Sequence, residues 1–307
     1  MNKAFYRFLF LVILYCTNCH IQAGCFKSLT QSPFVENFHA AMSNSPRYIE
    51  KNAEADTYWL GVKKLYDMHV VQNLEYSATP RIPKIIHQVW LGSPFPEKYI
   101  YFQNTWKKHH PDWEYILWTE KEIEEFGLIN QVAYDESTNY GQKSDIARYE
   151  ILYRMGGLYV DTDFECLKSF DILHHCFDFY TGSGFGPLFH AYMGLIGCAP
   201  GNRILKQCID SINIHVIHNV NPILNILYTT GPYLFANSIK KFLNDPELGR
   251  CVVFPVNYFY PLPNLLDNVT YEDTRGWIKP ETFAMHHWHV SWNNGITPGK
   301  RIKRFKR

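Results

Sequence analysis

The stretch Gly156-Gly157-Leu158-Tyr159-Val160-Asp161-Thr162-Asp163-Phe164 decides the fold. A glycine pair ends the segment before it, because glycine adopts the left-handed backbone that closes a helix without steric cost. Residues 158–160 then form a short apolar run leading straight into Asp161, which predicts a buried strand. A strand of this kind delivers its terminal acids to the carboxyl edge of a sheet, where open α/β sheets bind their ligands. In extended backbone, residues two apart point to the same side, so Asp161 and Asp163 are expected to face one ion together. Their hard oxygen donors select Mg²⁺ or Mn²⁺, with phosphates and water completing the coordination.

Two acids one residue apart are also common on ordinary surfaces, and two other chemistries use the same pattern. A calcium loop of the EF-hand type needs glycine where Cys166 stands, and flanking helices in place of a strand. It does not fit. A phosphohydrolase with an aspartyl nucleophile also sets DxD after an apolar strand, but usually has Thr or Val where this chain has Glu165. It stands as an alternative, beside a non-catalytic carbohydrate-binding protein.

Working outward, residues 84–91 (KIIHQVWL) read as a buried strand entered through Pro80 and Pro83, and residues 96–110 as a helix stopped by Pro111. Residues 113–118 (WEYILW) read as a second strand and 120–126 as a short helix. Residues 142–155 suit a longer helix whose apolar face carries Ile146, Tyr149, Leu152, Tyr153 and Met155. Strands at 177–181, 192–197 and 251–255 and helices at 203–212 and 231–242 complete an alternation that implies an α/β fold with a mostly parallel sheet. Residues 28–78 read as weak helices of no evident role, and no internal repeat is present.

The chain has 307 residues, enough for one sizeable core. Its 46% hydrophobic and 19% charged residues exclude a disordered or fibrous protein, and a net charge of +1 gives no pull toward nucleic acid. The 16% aromatic content is mostly core material, with some rings left for stacking on sugars or bases. Lys3 and Arg7 before the apolar run 8–15, with Ala23 and Gly24 after it, have the layout of a secretory signal peptide over residues 1–24, or of an uncleaved signal-anchor. That predicts export or a secretory lumen, Golgi-like in a eukaryote, where Asn268-Val269-Thr270 is an N-glycan sequon. Cys25, Cys166, Cys176, Cys198, Cys208 and Cys251 are scattered without a CxxC, which argues against zinc and leaves disulfides open. The basic tail at 296–307, with Lys300, Arg301, Lys303, Arg304, Lys306 and Arg307, is either a solvated terminus or a contact with an anionic membrane surface.

Two clusters flank the aspartates along the chain. Ser144, Asp145 and Arg148 start the helix that leads to them, and an acid and an arginine three apart share a helical face. Taken alone they are an N-terminal cap and its ion pair; at a ligand edge they also suit sugar hydroxyls. Downstream, His286-His287-Trp288-His289-Val290-Ser291-Trp292 concentrates groups able to ligate a metal or stack on a ring.

Together, IPKIIHQVWLG, HPDWEYILWTE, KSDIARYEILYRMGGLYVDTDF and HHWHVSW, in that order, resemble glycosyltransferase family 32. That family includes initiating α-1,6-mannosyltransferases and inositolphosphorylceramide mannosyltransferases, and the motifs are more distantly similar to the glycosylating domains of large clostridial toxins. The resemblance spans roughly residues 80–295 and leaves 25–79 as an N-terminal helical extension. It implies a GT-A fold, a nucleotide-sugar donor, Mn²⁺ or Mg²⁺, and retention of anomeric configuration. By motif, Asp161 and Asp163 hold the metal, with Asp161 shared with the donor, and His286 or His287 is the third metal contact, His287 being taken here. Ser144, Asp145 and Arg148 hold the donor sugar, Trp90 and Tyr159 the nucleotide, and Ser291 and Trp292 the diphosphate. Asp145, Arg148 and Asp161 are the expected catalytic residues, with same-face attack preferred over a covalent intermediate. Donor identity (GDP-mannose or a UDP-sugar) and acceptor (glycan, glycolipid or other) are left open by these motifs.

Overall fold

The computed structural model describes residues 33–186, 189–215, 222–264 and 270–289. The expected signal segment 1–24, the basic tail, Cys25, Asn268, Ser291 and Trp292 lie outside them. The sheet strands are β1 (Ile85–Val89), β2 (Glu114–Trp118), β3 (Gly157–Val160), β5 (Phe179–Gly186), β6 (Phe189–Cys198) and β7 (Cys251–Phe254). They form one six-stranded sheet in the order β2-β1-β3-β6-β5-β7, flanked by helices. Strand β1 runs parallel to β2 and β3, and β5 parallel to β7, while β6 is antiparallel to both of its neighbours. The sheet is thus mostly parallel, with one reversed strand at its centre. A second, two-stranded sheet pairs β4 (Phe164–Cys166) with β8 (Ala284–His286).

Every residue of β3 is buried, as a strand covered on both faces must be. Its entry depends on an unusual neighbour in β1. The indole N–H of Trp118 donates to His87 Nδ1 at 3.1 Å, so the imidazole proton sits on Nε2 and donates to the Gly156 carbonyl at 2.9 Å. Burial pushes this imidazole down to about 4, keeping it neutral. Gly157 stands at φ +102, and a Cβ there would meet Ile85 O at 2.7 Å. The glycine pair therefore does more than stop a helix: it lets β3 start tight against β1.

The helix before it runs Tyr140–Met155, starting earlier than the apolar periodicity indicates because Asn139 caps the amides of Gly141 and Gln142. The expected helix at 96–110 is a 3₁₀ turn, Glu97–Tyr99, followed by Ile100–His109. Strands β5 and β6 are longer than expected, since they zip together as an antiparallel pair beyond their apolar cores.

In the N-terminal extension, the helix Thr57–Tyr66 continues into a π-helical turn, Asp67–Gln72. Tyr66 and Tyr258 share a buried hydroxyl–hydroxyl hydrogen bond of 2.8 Å, and the Asn44 amide donates to Trp277 O at 2.7 Å. Residues from Glu36 onward accordingly belong to the same compact unit as the sheet. Cys166, Cys176, Cys198, Cys208 and Cys251 are all buried free thiols.

Candidate active site

Asp161 follows the last residue of β3, and its N–H donates to Gly194 O in β6 at 2.7 Å. Its own carbonyl accepts from the Phe164 amide at 3.2 Å and from Gln88 Nε2 of β1 at 3.3 Å. The chain thus turns at Asp161-Thr162-Asp163, and the expected extended alternation is not what brings the two carboxylates together. The turn does so, because it folds the backbone back on itself before β4 begins. Gly194 makes room for the result: a Cβ there would lie 2.6 Å from Asp161 Oδ2.

Asp163 is buried, and both of its oxygens are engaged. Oδ1 lies 3.0 Å from His286 Nε2, and Oδ2 accepts from the His289 backbone N–H at 2.6 Å. Burial alone would raise its pKa, but His286 and the His289 amide outweigh burial and hold the carboxyl below its ordinary value. Between those two partners the chain turns at Trp288, the non-glycine residue with positive φ among the described residues, at φ 59.

Ligand-capable atoms of Asp161, Asp163 and His286 lie within 4.8 Å of one another. This corrects the expectation for His287, whose Nε2 sits 3.1 Å from Glu165 Oε2 instead. His286, the last residue of β8, turns its side chain to Asp163, while His287, just past the strand, turns to Glu165. Glu165 is also held by Arg275 Nη2 at 2.6 Å, Tyr271 OH at 3.0 Å and Tyr101 OH at 3.2 Å.

Arg148 gathers the remaining site. Its guanidinium reaches Asp145 Oδ1 at 3.1 Å, Asp161 Oδ1 at 3.2 Å, Met193 O at 3.0 Å and Ser144 Oγ at 3.1 Å. The guanidinium also packs over the Tyr159 ring, 4.4 Å from its centroid. Tyr159 OH donates to Asp161 Oδ1 at 2.8 Å and lies 3.3 Å from Ser144 Oγ. Asp145 completes its bonding through Thr230 Oγ1, 3.1 Å from Oδ2, and burial pushes its carboxyl up to about 7 against the pull of Arg148. Ser144, Asp145, Arg148, Tyr159 and Asp161 are thereby brought into one network, with Tyr159 a buried spacer that orients Asp161.

These groups floor a cleft of about 560 Å³. On its β1 side stand Trp90 and Gly92; on its β6 side, Tyr192, Tyr260 and Trp288. Trp90 is partly exposed, fixed by its indole N–H to Ser93 Oγ at 3.1 Å and packed against Phe95 and Tyr99. Gln88, Gly194 and Thr230 were not expected from the sequence, because each acts through a partner distant along the chain. Gln88 and Gly194 did carry a signal: a polar side chain inside a buried strand, and a glycine inside another.

Residues 96–178, which contain Ser144 to Arg148 and the two aspartates, match the family described as "Glycosyltransferase sugar-binding region containing DXD motif". Over that segment the chain is similar to the DXD-containing glycosyltransferases. Inositol phosphoceramide mannosyltransferase 3 of Schizosaccharomyces pombe is 28% identical over 75% of this chain and 65% of its own length. Inositol phosphoceramide mannosyltransferase 1 of the same yeast is 39% identical over 54% of each chain. Among solved structures, "PaToxG Glycosyltransferase" aligns over 60% of this chain and 78% of its own at 17% identity, with a TM-score of 0.46. The chain therefore spans between 54% and 65% of the length of the two yeast relatives.

Proposed function

We propose that this chain is a divalent-metal-dependent, retaining hexosyltransferase that takes mannose from GDP-mannose and passes it to a glycolipid acceptor. The observation that carries the proposal is the Arg148 guanidinium, which joins Asp145 to Asp161 at the floor of the cleft beside the Asp163–His286 pair. The preference for mannose and for a glycolipid comes from the names of the yeast relatives, which are inositol phosphoceramide mannosyltransferases.

The donor set suits Mn²⁺ or Mg²⁺: two carboxylates and one imidazole whose Nδ1 is buried without a hydrogen-bond partner among the described residues. When bound, such an ion neutralises the charge that develops on the leaving diphosphate. The chain supplies the rest. Arg148 presents a buried, fixed cation at the floor of the cleft, and costs no reorganisation when charge builds up nearby. Tyr159 holds Asp161 by one oxygen, leaving Oδ2 in the space that Gly194 opens. Asp145, the one candidate for a covalent nucleophile, has Oδ1 on Arg148 and Oδ2 on Thr230, which favours same-face attack. Export, and contact of the basic tail with an anionic membrane, complete the proposal.

The test is a panel of nucleotide sugars scored for Mn²⁺-dependent hydrolysis, paired with thermal unfolding in Mn²⁺ plus GDP or UDP. Ligand at a hundredfold excess over Kd stabilises by about 2.7 kcal/mol. GDP is expected to stabilise only with the metal present; no metal-dependent shift with either nucleotide would sink the proposal.

A further inference from the structure

The β6 side of the cleft is lined by aromatic rings. The aspartates sit at the end of β3, between β1 on one side and β6 on the other. Trp90, expected to stack on the nucleotide, lies on the β1 side, so what reacts with the donor has to approach from β6. There Tyr192, Tyr260 and Trp288 converge, with ring centroids 4.9 Å apart for Tyr192–Tyr260, 5.2 Å for Tyr192–Trp288 and 5.8 Å for Tyr260–Trp288. Their planes meet at 52°, 69° and 34°, so the rings form a corner and not a flat stack, with Tyr260 buried behind the other two. Asn264 stands at the rim, its Nδ2 3.5 Å from Tyr192 OH.

Trp288 is the decisive residue. A bulky side chain at positive φ is disfavoured, and such outliers gather where function requires them. The turn itself is needed, because it brings His286 and the His289 amide onto Asp163. Glycine or asparagine would make that turn more easily. The tryptophan ring is therefore an addition that the turn does not require. Its indole N–H is spent on Leu262 O at 2.7 Å and the ring packs on His286 with centroids 4.1 Å apart, which fixes it, and the part of the ring that lines the cleft is apolar. An aromatic corner with an amide at its rim matches a six-membered polyol ring: C–H faces against the rings, hydroxyls toward the amide.

We propose that Trp288, Tyr192 and Asn264 form the acceptor-ring subsite, and that it takes a pyranose or a cyclitol. The proposal rests on the transferase reading for the word acceptor, and on the aromatic corner for the ring. It is tested on the full chain with Mn²⁺ and GDP by saturation-transfer NMR, with methyl α-D-mannopyranoside and myo-inositol as separate probes that tell pyranose from cyclitol. At least one probe is expected to receive saturation on its ring C–H protons. Trp288→Asn, which suits the same backbone, is expected to weaken that probe at least tenfold while GDP affinity moves less than twofold. Asn264→Ala is expected to weaken it about threefold. The subsite is overturned if neither probe contacts the wild-type chain, if Trp288→Asn binds the probe as wild type does, or if probe and GDP weaken in parallel. Probe binding without any GDP or UDP binding would keep the subsite and sink the transferase reading instead.

Discussion

Arg148, in the middle of a helix, and Asp161, at the end of a strand, stand 3.2 Å apart at the floor of the cleft. The same guanidinium holds Asp145, so one buried cation balances two carboxylates drawn from different elements. On the proposed function the pairing gives Arg148 both a stabilising and a functional role, and substitution separates the two.

Arg148→Ala leaves Asp145 and Asp161 without their counter-charge and is expected to cost about 3–5 kcal/mol of stability. Arg148→Lys keeps the charge but loses the planar fork that serves four partners at once. The lysine variant is expected to stay folded while donor turnover falls on the order of a hundredfold. Urea unfolding together with steady-state kinetics on both variants checks this; a lysine variant with wild-type kcat would remove Arg148 from the chemistry.

The two adjacent histidines give opposite expectations. His286→Ala removes a group within reach of both Asp161 and Asp163, and is expected to raise the metal activation constant roughly 10–100-fold. His287→Ala disturbs Glu165 and its tyrosine and arginine partners, so its main effect is expected on thermal stability, with a smaller shift in metal dependence. Mn²⁺ titrations of both variants decide between them, and a larger metal effect at His287 would contradict the geometry.

Gly194→Ala would place a methyl 2.6 Å from Asp161 Oδ2 and 3.2 Å from the Phe164 ring. The carboxylate is the softer neighbour and has to move. Activity is expected to drop at least tenfold while Tm falls only a few degrees, because the strand can keep its backbone pairing to β3. Differential scanning calorimetry beside a turnover assay measures both.

Acid stability follows from His87. Its folded pKa is depressed to about 4, below the value near 6.5 of an unfolded histidine. Above pH 6.5 neither state binds the proton and the term is fully present. Between pH 6.5 and 4 the unfolded chain takes up a proton that the folded chain refuses, so stability falls as the pH drops. The slope is about 1.4 kcal/mol per pH unit for this group. His174, buried and lowered well below its ordinary value, adds a term of the same sign. Denaturant melts at pH 7.5, 6 and 5 should show the decline, and His87→Gln, which keeps a donor for Gly156, should make it shallower.

Much of the site was legible because its parts are local. Asp145 and Arg148 are three apart on one helix, and the aspartates follow an apolar strand behind two glycines; helix period and strand burial place such groups without knowledge of distant residues. The α/β alternation was legible for the same reason, down to the helix Glu120–Phe126, whose bounds the structure reproduces. What local pattern cannot carry is direction and partnership. An apolar run reads the same parallel or antiparallel, so the reversal of β6 was invisible, and with it the approach of Gly194 to Asp161.

The sequence by itself therefore determined the chemical inventory of this protein: hard oxygen donors at a sheet edge, an arginine on the preceding helix, and histidines held in reserve near the carboxyl end. Only the tertiary structure decided how the inventory is shared out. It turned the DxD segment back on itself, gave Asp163 to His286 and Glu165 to His287, tied Asp145 to Thr230, and placed Trp288 in a left-handed turn on the β6 side. The Asp163–His286, Glu165–His287 and Asp145–Thr230 pairings join residues 123, 122 and 85 positions apart. Such contacts are set by packing a whole sheet and its ribbon, and no window of sequence encodes them.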